Sequence, residues 1–118
     1  MPRPAEKSFK MIQVIDGKRY NTEKAAKVFC YWNGCSTSDF RYRTKTLYLT
    51  QSGNWFIHHK GGARTDMAVS VGNNGTGGSE SIEPVSSDDA YGFLEANSDD
   101  SDALAAIEKH FASKIVDA

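Results

Sequence analysis

Residues 46–79 read TLYLTQSGNWFIHHKGGARTDMAVSVGNNGTGGS. Thr46–Thr50 and Trp55–His59 are short runs of aromatic and β-branched residues, a composition that fits a pleated, half-buried surface. Between them stands Gln51-Ser52-Gly53-Asn54, with a glycine where a tight turn needs positive φ. The stretch therefore reads as a β-hairpin followed by a glycine-rich loop at 61–79, and Gly61-Gly62 marks a sharp bend after the second strand. Met67–Val71 is the loop's only apolar patch, fit for a short strand or a helical turn. A rigid hairpin holding out such a loop suits the display of a surface to a partner, and the stretch contains no complete catalytic constellation.

Upstream, Lys10–Ile15 alternates like a strand, Asp16-Gly17 is a type I′ turn signal, and Lys18-Arg19-Tyr20 returns, giving a hairpin at 10–20. Asn21 or Thr22 can cap a helix over 22–32, with Ala25, Val28/Phe29 and Trp32 on one face and Gly34 just past its end. Asp39–Thr50 is strand-like. Arg41, Arg43 and Lys45 share a parity with Leu47 and Leu49, while Phe40, Tyr42 and Tyr48 share the other. One buried face cannot take both sets, so a bulge or break is expected near Thr44–Thr46. Downstream, Glu80–Val85 fits an edge strand whose pairing Pro84 ends, Ser86/Ser87 cap a helix over 88–96, and Leu104, Ile107, Phe111 and Ile115 space a helix over 102–116. The expected fold class is α+β: a small antiparallel sheet of hairpins 10–20 and 40–59, with helices 22–32, 88–96 and 102–116 packed against it. Residues 1–9 read as a flexible lead-in to a single domain over 10–118.

A chain of 118 residues, 39% hydrophobic, supports one modest core. No apolar run approaches the roughly 20 residues a membrane helix needs, and MPRPAEKSFK lacks the apolar segment of a secretory signal. Cys30 and Cys35 are too few for a disulfide framework, so a cytoplasmic protein with reduced thiols is expected. The net charge of −1 hides an asymmetry: residues 1–60 hold 11 Lys+Arg against 4 Asp+Glu, and residues 61–118 hold 3 against 11. A bipolar surface of this kind offers one face to an anion and another to a basic groove, unless the halves neutralise each other.

The chemistry-bearing residues do not assemble an enzyme on paper. His58 and His59 are neighbours on a strand and point to opposite faces, and Cys30 and Cys35 lack the spacing of a metal knuckle, so no metal is expected. Gly72–Gly78 lacks the lysine and the spacing of a phosphate loop. The aspartates at 88, 89, 99, 100 and 102 lack the order of a calcium loop and suit helix N-termini. Arg41, Tyr42, Arg43 and Lys45, near Tyr48 and Trp55, combine charges for phosphates with rings for stacking.

A longer pattern runs through these residues: D-G-K-x-Y-N-T-x-x-A from Asp16 to Ala25, D-F-R-Y from Asp39 to Tyr42, and T-L-Y-x-T-x-x-G-x-W-F-x-H from Thr46 to His58. It continues with Gly61-Gly62, V-G-N…GG-S from Val71 to Ser79, I-x-P-V from Ile82 to Val85, and a helix around Ala90–Leu94. Over residues 12–111 this is similar to a family of small uncharacterised proteins of bacteria and their phages, plasmids and integrative elements. The resemblance implies a context in which small accessory proteins inhibit host defence complexes, CRISPR effectors among them, some by filling a nucleic-acid channel with acidic surface.

The leading expectation is thus a non-enzymatic binding protein of anti-CRISPR type that uses no cofactor. The acidic residues Glu80, Glu83, Asp88, Asp89, Asp99, Asp100 and Asp102 would meet a Lys/Arg-lined groove on a protein partner, with Tyr48, Asn54 and Trp55 as hairpin anchors. The alternative is a nucleic-acid-associated regulator using Arg41, Arg43 and Lys45. A third reading, a small enzyme, would require Cys35, His58 or His59 to converge in a cleft.

Overall fold

Asp16 and Gly17 both take positive φ, 52° and 76°, the type I′ geometry that folds Ile12–Ile15 (β1) back onto Lys18–Asn21 (β2). The structure is a computed structural model that describes residues 11–72 and 75–118. The lead-in expected at 1–9, Lys10 of the first strand, and Asn73 and Asn74 of the glycine-rich loop lie outside the described residues.

The helix expected over 22–32 is a strand, Ala26–Trp32 (β3). Asn21 does act as a cap: its Oδ1 accepts the Glu23 N–H and its carbonyl accepts the N–H of Lys24 and Ala25. That turn is not propagated, because Val28-Phe29-Cys30-Tyr31-Trp32 is a β-branched and aromatic run that buries side chains on both faces of a sheet. Arg43–Leu49 (β4), Trp55–Gly61 (β5) and, after a small exposed hairpin of Val69–Val71 (β6) and Gly75–Gly77 (β7), Ser79–Val85 (β8) complete the elements. The main sheet is antiparallel in the order β3-β4-β5-β8. β8 is an edge strand, as expected, and pairs through Val85 across Pro84. The break expected near Thr44–Thr46 is absent: β4 runs in unbroken register with β5, and the irregularity lies in β3, between Lys27 and Phe29.

Ser87–Ala96 (α1), capped by Ser86 Oγ on the Asp89 N–H, and Ser101–His110 (α2), capped by Asp100 on the Asp102 N–H, cover one sheet face. The last helix is shorter than the expected 102–116. It stops at Phe111, whose ring packs on Trp55 at 5.3 Å and Tyr91 at 5.5 Å, and Ala112–Lys114 is a single 3₁₀ turn. The core under the helices gathers Phe29, Leu47, Trp55, Ile57, Leu94, Ile107 and Phe111. On the opposite face β1–β2 covers Tyr48, Phe56 and Ile82 with Tyr20, the Tyr48 ring stacked on Phe56 at 5.0 Å. The fold is α+β in three layers: hairpin, sheet, helices. No helix among the described residues is long and apolar enough to cross a membrane.

Candidate nucleic-acid interface

The parity conflict in β4 is what builds the site. Leu47 and Leu49 lie under the helices, while Lys45 and Arg43 carry the same face onward past the end of α1. There a cleft of about 530 Å³ opens, with Arg41, Arg43, Lys45 and Arg64 as its cations, Tyr31 and Phe93 as aromatic walls, and Asp66 as its acid. The Phe40 carbonyl accepts the Arg64 N–H at 2.8 Å, and the Tyr42 carbonyl accepts the Gly62 N–H at 2.9 Å. These bonds bring the 62–66 loop against the chain entering β4. Gly62 is required at that approach, since a Cβ there would stand 2.5 Å from the Phe40 carbonyl oxygen. Phe40 itself is 65% exposed on this tip, beside Arg41.

The cations differ in what holds them. Arg43 is buried, donating to both Asp66 oxygens (2.7 and 3.0 Å), to the Thr44 carbonyl (2.7 Å) and to His59 Nδ1 (2.9 Å). Its hydrogen bond holds the Asp66 carboxyl well below the usual range, at about 2. Guanidinium only donates, so His59 Nδ1 accepts, and the imidazole proton sits on Nε2, donated to Glu83 at 2.7 Å. His59 and Glu83 thus form a histidine–carboxylate pair whose would-be basic nitrogen is already occupied by Arg43, an arrangement that positions rather than one that abstracts protons. Arg41 pairs with Asp39 at 3.1 Å, and that hydrogen bond lowers the Asp39 pKa and raises that of Arg41. Lys45 and Arg64 have no acidic partner within ion-pair distance among the described residues.

No protein-family model, curated protein or solved structure matches the chain. Trp55 and Tyr48 are core residues, 9% and 5% exposed, and are not available as surface anchors; Asn54 is held in its turn, donating to Thr50 Oγ1. The acidic residues are dispersed. Glu80 shares the hairpin-side parity of Ile82, Glu83 lies on the helix side bound to His59, Asp88 pairs with Lys114, and Asp100 caps α2. Asp89, Asp99 and Asp102 are exposed on the helical layer. His58 and His59 face opposite sides of β5, and Cys35 lies in the loop after β3, its carbonyl accepting from Trp32 Nε1. Both cysteines are free thiols. Among the described residues no three His, Cys, Asp or Glu side chains gather to hold a metal. Arg64 and Phe40 were not singled out by the sequence. Arg64 joins the site only through the loop's return, while the exposed ring of Phe40 next to a basic residue was a signal within reach.

Proposed function

We propose that this protein is a non-enzymatic binding module that captures single-stranded nucleic acid. The observation that carries the reading is the convergence of Arg41, Arg43, Lys45 and Arg64 on one cleft beside the exposed ring of Phe40. Phosphates would be met by Lys45, Arg64 and Arg41, with Arg43 fixed as a scaffold by Asp66 and His59. A base would stack on Phe40, because every base has a π-face and such stacking is tolerant of sequence. With about three phosphates engaged on a single strand, log Kd against log salt should have a slope of magnitude about 2. Anisotropy of a labelled single-stranded DNA or RNA across salt tests this. Arg64→Ala should reduce the slope by about 0.7, whereas Phe40→Ala should lose about 1–3 kcal/mol with the slope unchanged. Absence of binding at low salt, or indifference to both substitutions, overturns it.

A second reading is favoured by the helical layer, which displays Asp88, Asp89, Glu95, Asp99, Asp102 and Glu108 on exposed positions. It makes the protein a cytoplasmic inhibitor of a host defence complex, of the CRISPR type that the mobile-element resemblance suggests, docking this layer in a Lys/Arg-lined groove. Replacing Asp88, Asp89 and Asp99 with neutral residues should then weaken capture of that complex from a host lysate. Capture that is unchanged removes the electrostatic docking.

A further inference from the structure

The basic cleft has a second wall that its cations do not account for. α1 ends there, at Ala96, and its last turn carries no basic residue to offset the negative pole of the helix. The Leu94 carbonyl accepts the Asn97 N–H at 3.0 Å, and the Glu95 carbonyl accepts the Ser98 N–H at 3.2 Å. The Asn97 side chain folds back on the helix, and its Nδ2 donates to the Phe93 carbonyl at 2.8 Å. A carbonyl only accepts, so this bond fixes the amide: its NH₂ is spent on the helix, and Oδ1 is the atom left over. Among the described residues Oδ1 receives no donor, and neither does the Ala96 carbonyl. Both residues line the cleft.

Asn33 and Thr65 also line it, but they are spent. Asn33 donates to the Arg41 carbonyl and accepts the N–H of Cys35 and of Arg43. Thr65 Oγ1 donates to the Gly62 carbonyl and accepts the Met67 N–H. Two rings complete the walls. Tyr31 is the cross-strand neighbour of Lys45, and Phe93 stands one helical turn before Asn97, both packed on the core under the helices. The cleft is thus two-sided: cations come from β4 and the 62–66 loop, and uncommitted acceptors stand at the end of α1.

We propose that this cleft selects a base carrying an exocyclic amino group, and that Asn97 is the residue that determines the choice. The inference rests on the reading of the cleft as a site for single-stranded nucleic acid. With phosphates held at Lys45 and Arg64, a base that reaches the α1 end lies against Tyr31 or Phe93 and meets Asn97 Oδ1 and the Ala96 carbonyl, both acceptors. Adenine, cytosine and guanine have amino hydrogens to donate there. Thymine carries an oxygen where cytosine carries its amino group, so oxygen would face oxygen, and the desolvated acceptors would be left unpaired.

The probes are labelled oligodeoxycytidine and oligodeoxythymidine of equal length, strands with the same phosphate charge, measured by anisotropy on the full chain across salt. The cytidine strand should bind about tenfold tighter, with one salt slope for both. Asn97→Leu should bring the two strands within about twofold of each other and leave thymidine binding as it was, with thermal melting to confirm that the variant is folded. A strand of N4,N4-dimethylcytidine keeps the ring and loses both amino hydrogens, so on the unaltered protein it should bind like the thymidine strand. Salt-dependent binding with equal affinity for cytidine and thymidine overturns this inference and leaves the reading of the cleft standing. A cytidine preference that survives dimethylation or Asn97→Leu also overturns it, and no binding of either strand at low salt overturns both.

Discussion

Acidification should destabilise this fold chiefly through one ring, His58. His58 is wholly buried on the hairpin side of β5, with Thr46 and Ile82 as its cross-strand neighbours. Burial foremost, with Lys60 and His59 adding, pushes its pKa from 6.5 down to about 4. The Glu80 carboxylate, 3.8 Å from Nε2, is too distant for a hydrogen bond that would counter this. Between those pH values the unfolded chain takes up a proton that the folded chain refuses, so stability falls as pH drops through the window and His58 contributes no further change outside it. The gap is worth about 3 kcal/mol by pH 4, a large share of the 5–15 kcal/mol typical of a domain. Two other groups bear on the same measurement. His110, lowered mainly by burial, adds a loss of the same sign, and Asp66, held at about 2, adds its own only below its ordinary value of 3.8. Urea unfolding at a series of pH values, on the protein and on His58→Leu, isolates the ring: the difference between the two should shrink by about 3 kcal/mol from neutral pH to pH 4. A His58 ring proton that titrates near 6.5 by NMR, or identical pH profiles for the two proteins, would refute the reasoning.

Gly62→Ala should cost about 1–3 kcal/mol, because a methyl there meets the Phe40 carbonyl oxygen at 2.5 Å and carbon at 2.9 Å, backbone that cannot swing aside. Thermal melting reads the loss, and oligonucleotide anisotropy should fall with it as the Phe40–Arg41 tip moves. Arg43→Lys keeps the charge but not the fork that serves Asp66, Thr44 and His59 together. Stability should drop by about 1–3 kcal/mol while the salt slope of nucleic-acid binding stays unchanged, which separates a scaffold arginine from a phosphate-binding one. Ser86→Ala removes the cap on the Asp89 N–H and should cost about 1 kcal/mol in urea unfolding, with binding unaffected.

The hairpins were legible because their turns are local chemistry. Asp16-Gly17 and Gly53 demand positive φ, and they take it. The strand at 26–32 was not legible, for a physical reason. A strand buried on both faces loses its alternation and becomes a continuous apolar run, and an apolar run with Ala25, Val28 and Trp32 four and three apart satisfies a helical template equally well. Asn21 then makes a genuine capping turn, so the local signal for a helix start was correct and only its propagation failed. Val28 through Trp32, with no strong helix former among them, was the signal that could have decided it.

The same logic explains the mixed parity of β4. Arg43 and Lys45 share a face with Leu47 and Leu49, which requires a bulge only where one strand face has a single environment. A strand of seven residues is long enough to run past the end of a ten-residue helix packed on the same sheet face. Its face then changes from apolar to charged along its length without any break in register. What periodicity cannot supply is Arg64, which enters the cleft because Gly62 lets one loop lie against another. Nor can it show that Asp66 and His59 hold Arg43, so that a residue read as a free phosphate contact is instead the fixed centre of the cleft. Sequence parity thus finds the cations of one strand; which of them are available to an anion is settled by acids contributed from elsewhere in the chain.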